Sequence, residues 1–176
     1  MKDAMPPTPQ PQTVPAPTGE QDRTPLDVLV VDDDPGILTT LRLALSAAGC
    51  PVRTAASAEE ALALLAARPA DLVLTDVRME GASGIDLVRE TRALVPDALC
   101  VVMTAFASFE NAVAAIKAGA FDYLPKPFSV EQLEHLAGKV ATVVALRREN
   151  ARLRAAGASD AAGAGGDWFA GLTAPA

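Results

Sequence analysis

The sequence predicts an α/β fold: a doubly wound, five-stranded parallel sheet with an extended C-terminal helix. Three observations predict it. Short apolar runs alternate with stretches of helical periodicity, five times in about 120 residues. The runs are nearly continuous in their apolar character, as strands covered on both faces must be. Each of the later runs also ends at a residue that punctuates it, such as Asp76, Thr104 or the Pro125-Lys126-Pro127 triplet.

Residues 1–25 hold seven of the 14 prolines and few large apolar residues. Such a stretch cannot bury enough surface to offset its ordering entropy, so a disordered Pro-rich leader is expected. The domain itself is expected over residues 26–145. Its first strand is Asp27-Val28-Leu29-Val30-Val31, which ends in Asp32-Asp33-Asp34-Pro35-Gly36. Ile37, Leu41 and Leu45 then recur at helical spacing. Asp34 is read as the residue that starts this helix, and Gly49 as its stop. Val52 to Ala55 is a second strand. Ser57 with Glu60 three residues on forms a capping box for the second helix, which carries Ala61, Leu62, Leu64 and Leu65.

Leu72 to Thr75 is a third strand, ending at Asp76, and a helix from Ser83 to Val95 is stopped by Pro96. Leu99 to Met103 is a fourth strand, ending at Thr104, and Ser108 to Ala118 a fourth helix closed by Gly119. Phe121 to Leu124 is the fifth strand. A last helix starts near Ser129, with Gln132 as its capping-box partner. In that helix Leu133, Leu136, Val140 and Val143 follow the 3-4-3 spacing of a coiled-coil seam, and Leu146, Asn150 and Leu153 continue it after a three-residue step. The same spacing fits one amphipathic helix packed on the sheet. A signalling-helix extension is expected over 146–156, and a flexible Ala/Gly-rich linker and tail over 157–176.

The bulk numbers narrow the function. Half of the 176 residues are hydrophobic, but aromatics are only 4%, so the core is aliphatic. A net charge of −7 argues against direct nucleic-acid binding. No apolar run reaches the ~18–20 residues that span a bilayer, and the N-terminus lacks a signal-peptide pattern, so a cytoplasmic location is expected. Cys50 and Cys100 flank apolar segments and are read as core residues rather than a metal site.

Ligands of open α/β sheets bind at the carboxyl ends of the strands. With the flavodoxin-like strand order 2-1-3-4-5, those ends carry Asp32 and Asp33, then Asp76, Thr104 and Lys126 along one rim. Clustered carboxylates repel unless a cation intervenes, and Mg²⁺ suits a few carboxylates plus water. A carboxylate is also a nucleophile toward phosphorus, and a lysine can neutralise the incoming charge.

Val30-Val31-Asp32-Asp33-Asp34-Pro35, Thr75-Asp76-Val77-Arg78-Met79, Met103-Thr104-Ala105 and Tyr123-Leu124-Pro125-Lys126-Pro127-Phe128 resemble the four signature stretches of two-component response regulator receiver domains. The resemblance runs from about Leu26 to Val144, and is greatest for receivers of nitrogen-regulatory-type activators, which drive the alternative sigma factor. It implies Asp76 as the phosphoacceptor, and Mg²⁺ held by Asp33, Asp76 and the Arg78 backbone carbonyl, with Asp32 acting mainly through water. Thr104 and Lys126 would contact the phosphoryl group, and Tyr123 would be the aromatic switch. The Lys126–Pro127 peptide would be cis. The implied partners are a sensor histidine kinase and a second copy of the chain, joined through the fourth helix, fifth strand and last helix. The protein would then be a switch and not an enzyme.

The sequence departs from the family at Glu80, where proline is common, which is expected to loosen the loop beside Asp76. Phe106, Phe109, Phe121, Tyr123 and Phe128 hold most of the aromatics; they read either as core or as a cluster on the signalling face that the resemblance implies. Trp168-Phe169-Ala170-Gly171-Leu172 resembles the opening of the ATPase domain in the same activators, yet no G-x-x-x-x-G-K-[ST] loop occurs in these residues. A truncated or split regulator is therefore expected, with a single-domain receiver as the other reading. Two rivals remain: a haloacid-dehalogenase-type phosphohydrolase with Asp32 as nucleophile, and a non-phosphorylated scaffold of the same fold.

Overall fold

Five four- to six-residue strands build the sheet: β1 (Val28–Val31), β2 (Val52–Ala55), β3 (Leu72–Asp76), β4 (Leu99–Thr104) and β5 (Asp122–Pro125). The structure is a computed structural model and describes residues 25–105 and 109–163. The leader up to Thr24, Phe106, and the Trp168 to Ala176 tail lie outside the described residues, and so does the side chain of Phe109. All strand pairs are parallel and the order is β2-β1-β3-β4-β5, the flavodoxin-like order.

The apolar strands behave as their composition dictates. Val28 to Val31 and Leu72 to Leu74 are buried throughout, and their side chains alternate between two clusters. Val28, Val30, Leu72 and Leu74 face one cluster, with Leu41 and Leu45 of α1 (Pro35–Ala47) and Leu133, Leu136 and Val140 of α5 (Val130–Gly163). Leu29, Val31 and Val73 face the other, with Ala61 and Leu65 of α2 (Ala58–Ala67), Leu87 and Val88 of α3 (Gly84–Leu94), and Ala115 of α4 (Phe109–Ala118). Full burial of each Val or Leu is worth about 1.5–3 kcal/mol, so the three interior strands β1, β3 and β4, whose apolar residues are all buried, dominate the apolar contribution of the sheet.

Local signals set the helix ends. Asp34 Oδ1 accepts hydrogen bonds from the N–H groups of Gly36 and Ile37, which makes it the N-cap of α1. Gly49 turns the chain after α1 with φ of 83°. Ser57 Oγ accepts from Glu60 N–H, but the Glu60 carboxylate reaches back to Ala56 N–H, one residue earlier than a standard capping box. Ser129 and Gln132 form the reciprocal pair in full.

Two expectations about the last helix need correction. α5 does not give way to a linker after Ala156; it continues to Gly163. The 3-4-3 seam from Leu133 to Val143 is also not free to pair with another helix. Leu133, Leu136 and Val140 are buried against the sheet and Val143 packs beside them. Only beyond Val144 does the seam leave the domain, where Leu146 and Leu153 are each 61% exposed. Among the described residues, no helix is long and apolar enough to cross a membrane.

Candidate functional site

Parallel pairing without offset brings the strand ends to one level. Val31 pairs with Thr75, Asp76 with Met103, and Thr104 with Pro125. Asp32, Asp76, Thr104 and Lys126 therefore share one rim. Two backbone bonds extend the alignment past the strands: Val77 N–H donates to Met103 O, and Lys126 N–H to Thr104 O, at 2.9 and 2.7 Å.

The Lys126 ammonium is the electrostatic centre of this rim. Its Nζ lies 2.8 Å from Asp32 Oδ2 and 2.8 Å from Asp76 Oδ1. Burial alone would lower its pKa, but the hydrogen bonds to Asp32 and Asp76 and their charges outweigh that, holding it above the ordinary lysine value. Asp32 is only 1% exposed and both of its oxygens are engaged, Oδ2 by Lys126 and Oδ1 by Asp34 N–H at 2.9 Å. Asp76 uses its second oxygen to accept from Arg78 N–H at 2.8 Å. Asp33 faces outward, and its Oδ2 accepts from Glu80 N–H at 3.0 Å. Thr104 is buried at the end of β4.

The sequence predicts three carboxylates, Asp32, Asp33 and Asp76, around one cation. The structure brings Asp32 and Asp76 together through Lys126, whereas Asp33 leans toward the β3–α3 loop. Among the described residues, no three acidic, imidazole or thiol groups converge as a ready-made metal cage. The available donors nonetheless suit a hard dication: carboxylate oxygens of the exposed Asp33 and of Asp76 beside the Arg78 main chain.

The segment after Asp76 is held tightly. Arg78 and Ser83 form an antiparallel bridge, Gly81 turns with φ of 90°, and Gly84 N–H donates to Val77 O. A Cβ on Gly84 would lie 1.9 Å from Asp76 O, so the first turn of α3 presses directly on the Asp76 main chain. Sequence reasoning assigned no role to Gly84, since a glycine at a helix start carries no signal of what it touches.

Residues 28–137 match the response regulator receiver domain family. The chain belongs to that family. The receiver is 41% identical over 123 residues to the response regulator protein PilR of Pseudomonas aeruginosa, a match covering 70% of this chain and 27% of PilR. It is 41% identical over 105 residues to the DNA-binding transcriptional regulator NtrC of Salmonella typhimurium, covering 60% of this chain and 22% of NtrC. The receiver thus spans only about a quarter of the length of these relatives. A response regulator from Burkholderia pseudomallei, crystallised with a phosphorylated aspartic acid, a calcium ion and citrate, superposes with a TM-score of 0.61 at 34% identity, covering 70% of this chain and 72% of that one.

On the β5 side, Tyr123 projects outward at 40% exposure. It lines an open groove of about 620 Å³ with Asp122, Gln132, His135, Leu136 and Lys139. Phe121 and Phe128 are instead packed against the core. The Lys126–Pro127 peptide of the receiver is cis. The main chain of Glu80, where the family commonly has proline, donates to Asp33 and links the two loops. Asp27, which reads as an ordinary surface acid, anchors Arg53 and Arg68 through separate oxygens at 2.9 and 2.6 Å. Their partners lie 26 and 41 residues away, which no local pattern reveals.

Proposed function

We propose that this receiver accepts a phosphoryl group on Asp76 from the phosphohistidine of a sensor kinase, and that the phosphorylated form alters pairing of two copies and the output of a transcriptional activator. The observation that carries the proposal is the Lys126 ammonium held between Asp32 and Asp76 at the carboxyl ends of β1, β3 and β5. In the transfer, an Asp76 carboxylate oxygen attacks phosphorus, the P–N bond to the kinase imidazole breaks, and the imidazole nitrogen leaves with the bonding pair. Asp76 fits the nucleophile's role because it stands partly exposed at the rim with the Lys126 ammonium against Oδ1. Lys126 neutralises charge on the transferred group, and the Thr104 hydroxyl at the end of the neighbouring strand donates to a phosphoryl oxygen. Asp33, Asp76 and the Arg78 carbonyl, with Asp32 through water, would hold a Mg²⁺ ion, which when bound would supply further neutralisation of the phosphoryl oxygens.

The phosphorylated state is favoured by its added contacts with Thr104 and Lys126, so activation is a shift in population. The β5–α5 face around Tyr123, together with α4 and the exposed Leu146 and Leu153, is the surface proposed to pair. The hydrolase alternative needs an accessible carboxylate on Asp32, which is only 1% exposed, whereas the Asp76 side chain is 13% exposed at the rim.

The test is intact mass after incubation with acetyl phosphate, with and without Mg²⁺. A Mg²⁺-dependent gain of about 80 Da, lost in Asp76→Ala, is expected for an aspartyl phosphate. Label that persists in Asp76→Ala and disappears in Asp32→Ala moves the nucleophile to β1. No label, under conditions where a control receiver reacts, favours the scaffold.

A further inference from the structure

The three acids of the rim differ in how they are held. Asp32 and Asp76 each have both oxygens engaged. Asp33 is exposed, and among the described residues its single hydrogen bond comes from Glu80 N–H at 3.0 Å, to Oδ2 alone. That bond spans 47 residues and joins the loop after β1 to the loop after β3. The donor is well fixed. The Arg78–Ser83 bridge closes the loop on both sides of Glu80, Gly81 makes its turn, and Gly84 is seated against Asp76 O.

An exposed aspartate otherwise samples several rotamers, and ordering it on a cation costs entropy. A donor on one oxygen fixes the carboxylate plane and leaves the other oxygen free. Carboxylate ligands of metals are commonly oriented by such hydrogen bonds. Resting on the cation-binding reading above, we propose that the backbone N–H of Glu80 is a positioning group for Asp33, holding Oδ2 so that Oδ1 is presented to a divalent cation. The Glu80 side chain has no part in this. Any residue with an N–H can serve, and proline, which is common in the family at this position, cannot.

The test compares Mg²⁺ affinity of the full chain by titration calorimetry for wild type, Glu80→Ala and Glu80→Pro. Alanine keeps the amide and removes the carboxylate; proline removes both. Proline is compatible with the turn, since Gly81 supplies the positive φ that commonly follows proline in a type II turn. Glu80→Ala is expected to stay within about threefold of wild type, and Glu80→Pro to bind about tenfold more weakly than Glu80→Ala. Equal or tighter binding by Glu80→Pro overturns the proposal.

Amide exchange of Glu80 in the wild type gives a second readout that does not depend on the proline variant folding. Protection that persists when Mg²⁺ binds supports positioning. Protection lost on Mg²⁺ binding means the amide competes with the cation, which overturns it. Wild type that binds no Mg²⁺ at all overturns the cation-binding reading itself, and this proposal with it.

Discussion

One guanidinium nitrogen of Arg148 sits between the two carboxylate oxygens of Asp71, at 2.7 and 2.9 Å, and so pins the outgoing part of α5 to the amino end of β3. The same Asp71 accepts from Asp27 N–H at 2.9 Å, and Arg147 next door donates to Asp97 O. The pair is partly exposed, so its contribution to global stability is small, about 0.5–1 kcal/mol. Its local effect is larger. Arg148→Ala is expected to leave the melting temperature nearly unchanged while raising amide exchange over residues 146–156. Unchanged exchange there counts against the clamp.

Gly84 and Gly138 make an opposed pair of predictions. Alanine at Gly84 drives a methyl group into the Asp76 carbonyl, and a loss of about 2–3 kcal/mol is expected by denaturant unfolding, with slower labelling of Asp76. Alanine at Gly138, inside α5 with nothing within 4 Å, is expected to stabilise by about 1 kcal/mol. A neutral Gly84→Ala is inconsistent with the close approach described.

Removing the ammonium from the rim strands a buried charge. Lys126→Met is expected to cost about 2–3 kcal/mol at neutral pH, somewhat below the usual loss for a fully buried pair. Adding Asp32→Asn should recover part of that loss, because the charge left without a partner is then gone. Strict additivity of the two substitutions in urea unfolding argues against the pairing.

Burial pushes the Cys100 thiol up to about 12, with Arg92 opposing only weakly. Cys50, half-buried, is also raised by burial. Native protein at pH 8 is expected to alkylate at Cys50 first and at Cys100 only on unfolding. The sign for stability follows: above about pH 9 the unfolded chain sheds the Cys100 proton while the folded chain keeps it until about 12. Stability should therefore fall across that window, and Cys100→Ala should flatten the fall.

The strands and the rim were legible in the sequence because both have local signatures. Val28 to Val31 and Leu72 to Leu74 are unbroken apolar runs, and Asp32, Asp76, Thr104 and Lys126 each stand where a run stops. Main-chain contacts across long loops have no such signature, which is why the Glu80 amide on Asp33 and the seating of Gly84 on Asp76 were not foreseen. The α5 seam misled for a different reason. Leu133, Leu136 and Val140 obey a spacing that serves equally for packing on a sheet or on another helix, and only the fold decides between them. Past Ala156, a mixture of Gly, Ser and Asp with Ala reads as a linker, and the helix nonetheless continues to Gly163.

The continuation of α5 to Gly163 gives the receiver a lever arm. From Arg148 to the helix end, at about 1.5 Å per residue, the arm is roughly 22 Å long. A tilt of about 10° at its root would therefore sweep the tip through nearly 4 Å by the same geometry. Asp71, which holds that root, and Asp76 stand just before and at the end of the same strand, β3. A tilt at the Asp71–Arg148 contact would thus be magnified along the arm, because the helix continues unbroken from that root to Gly163.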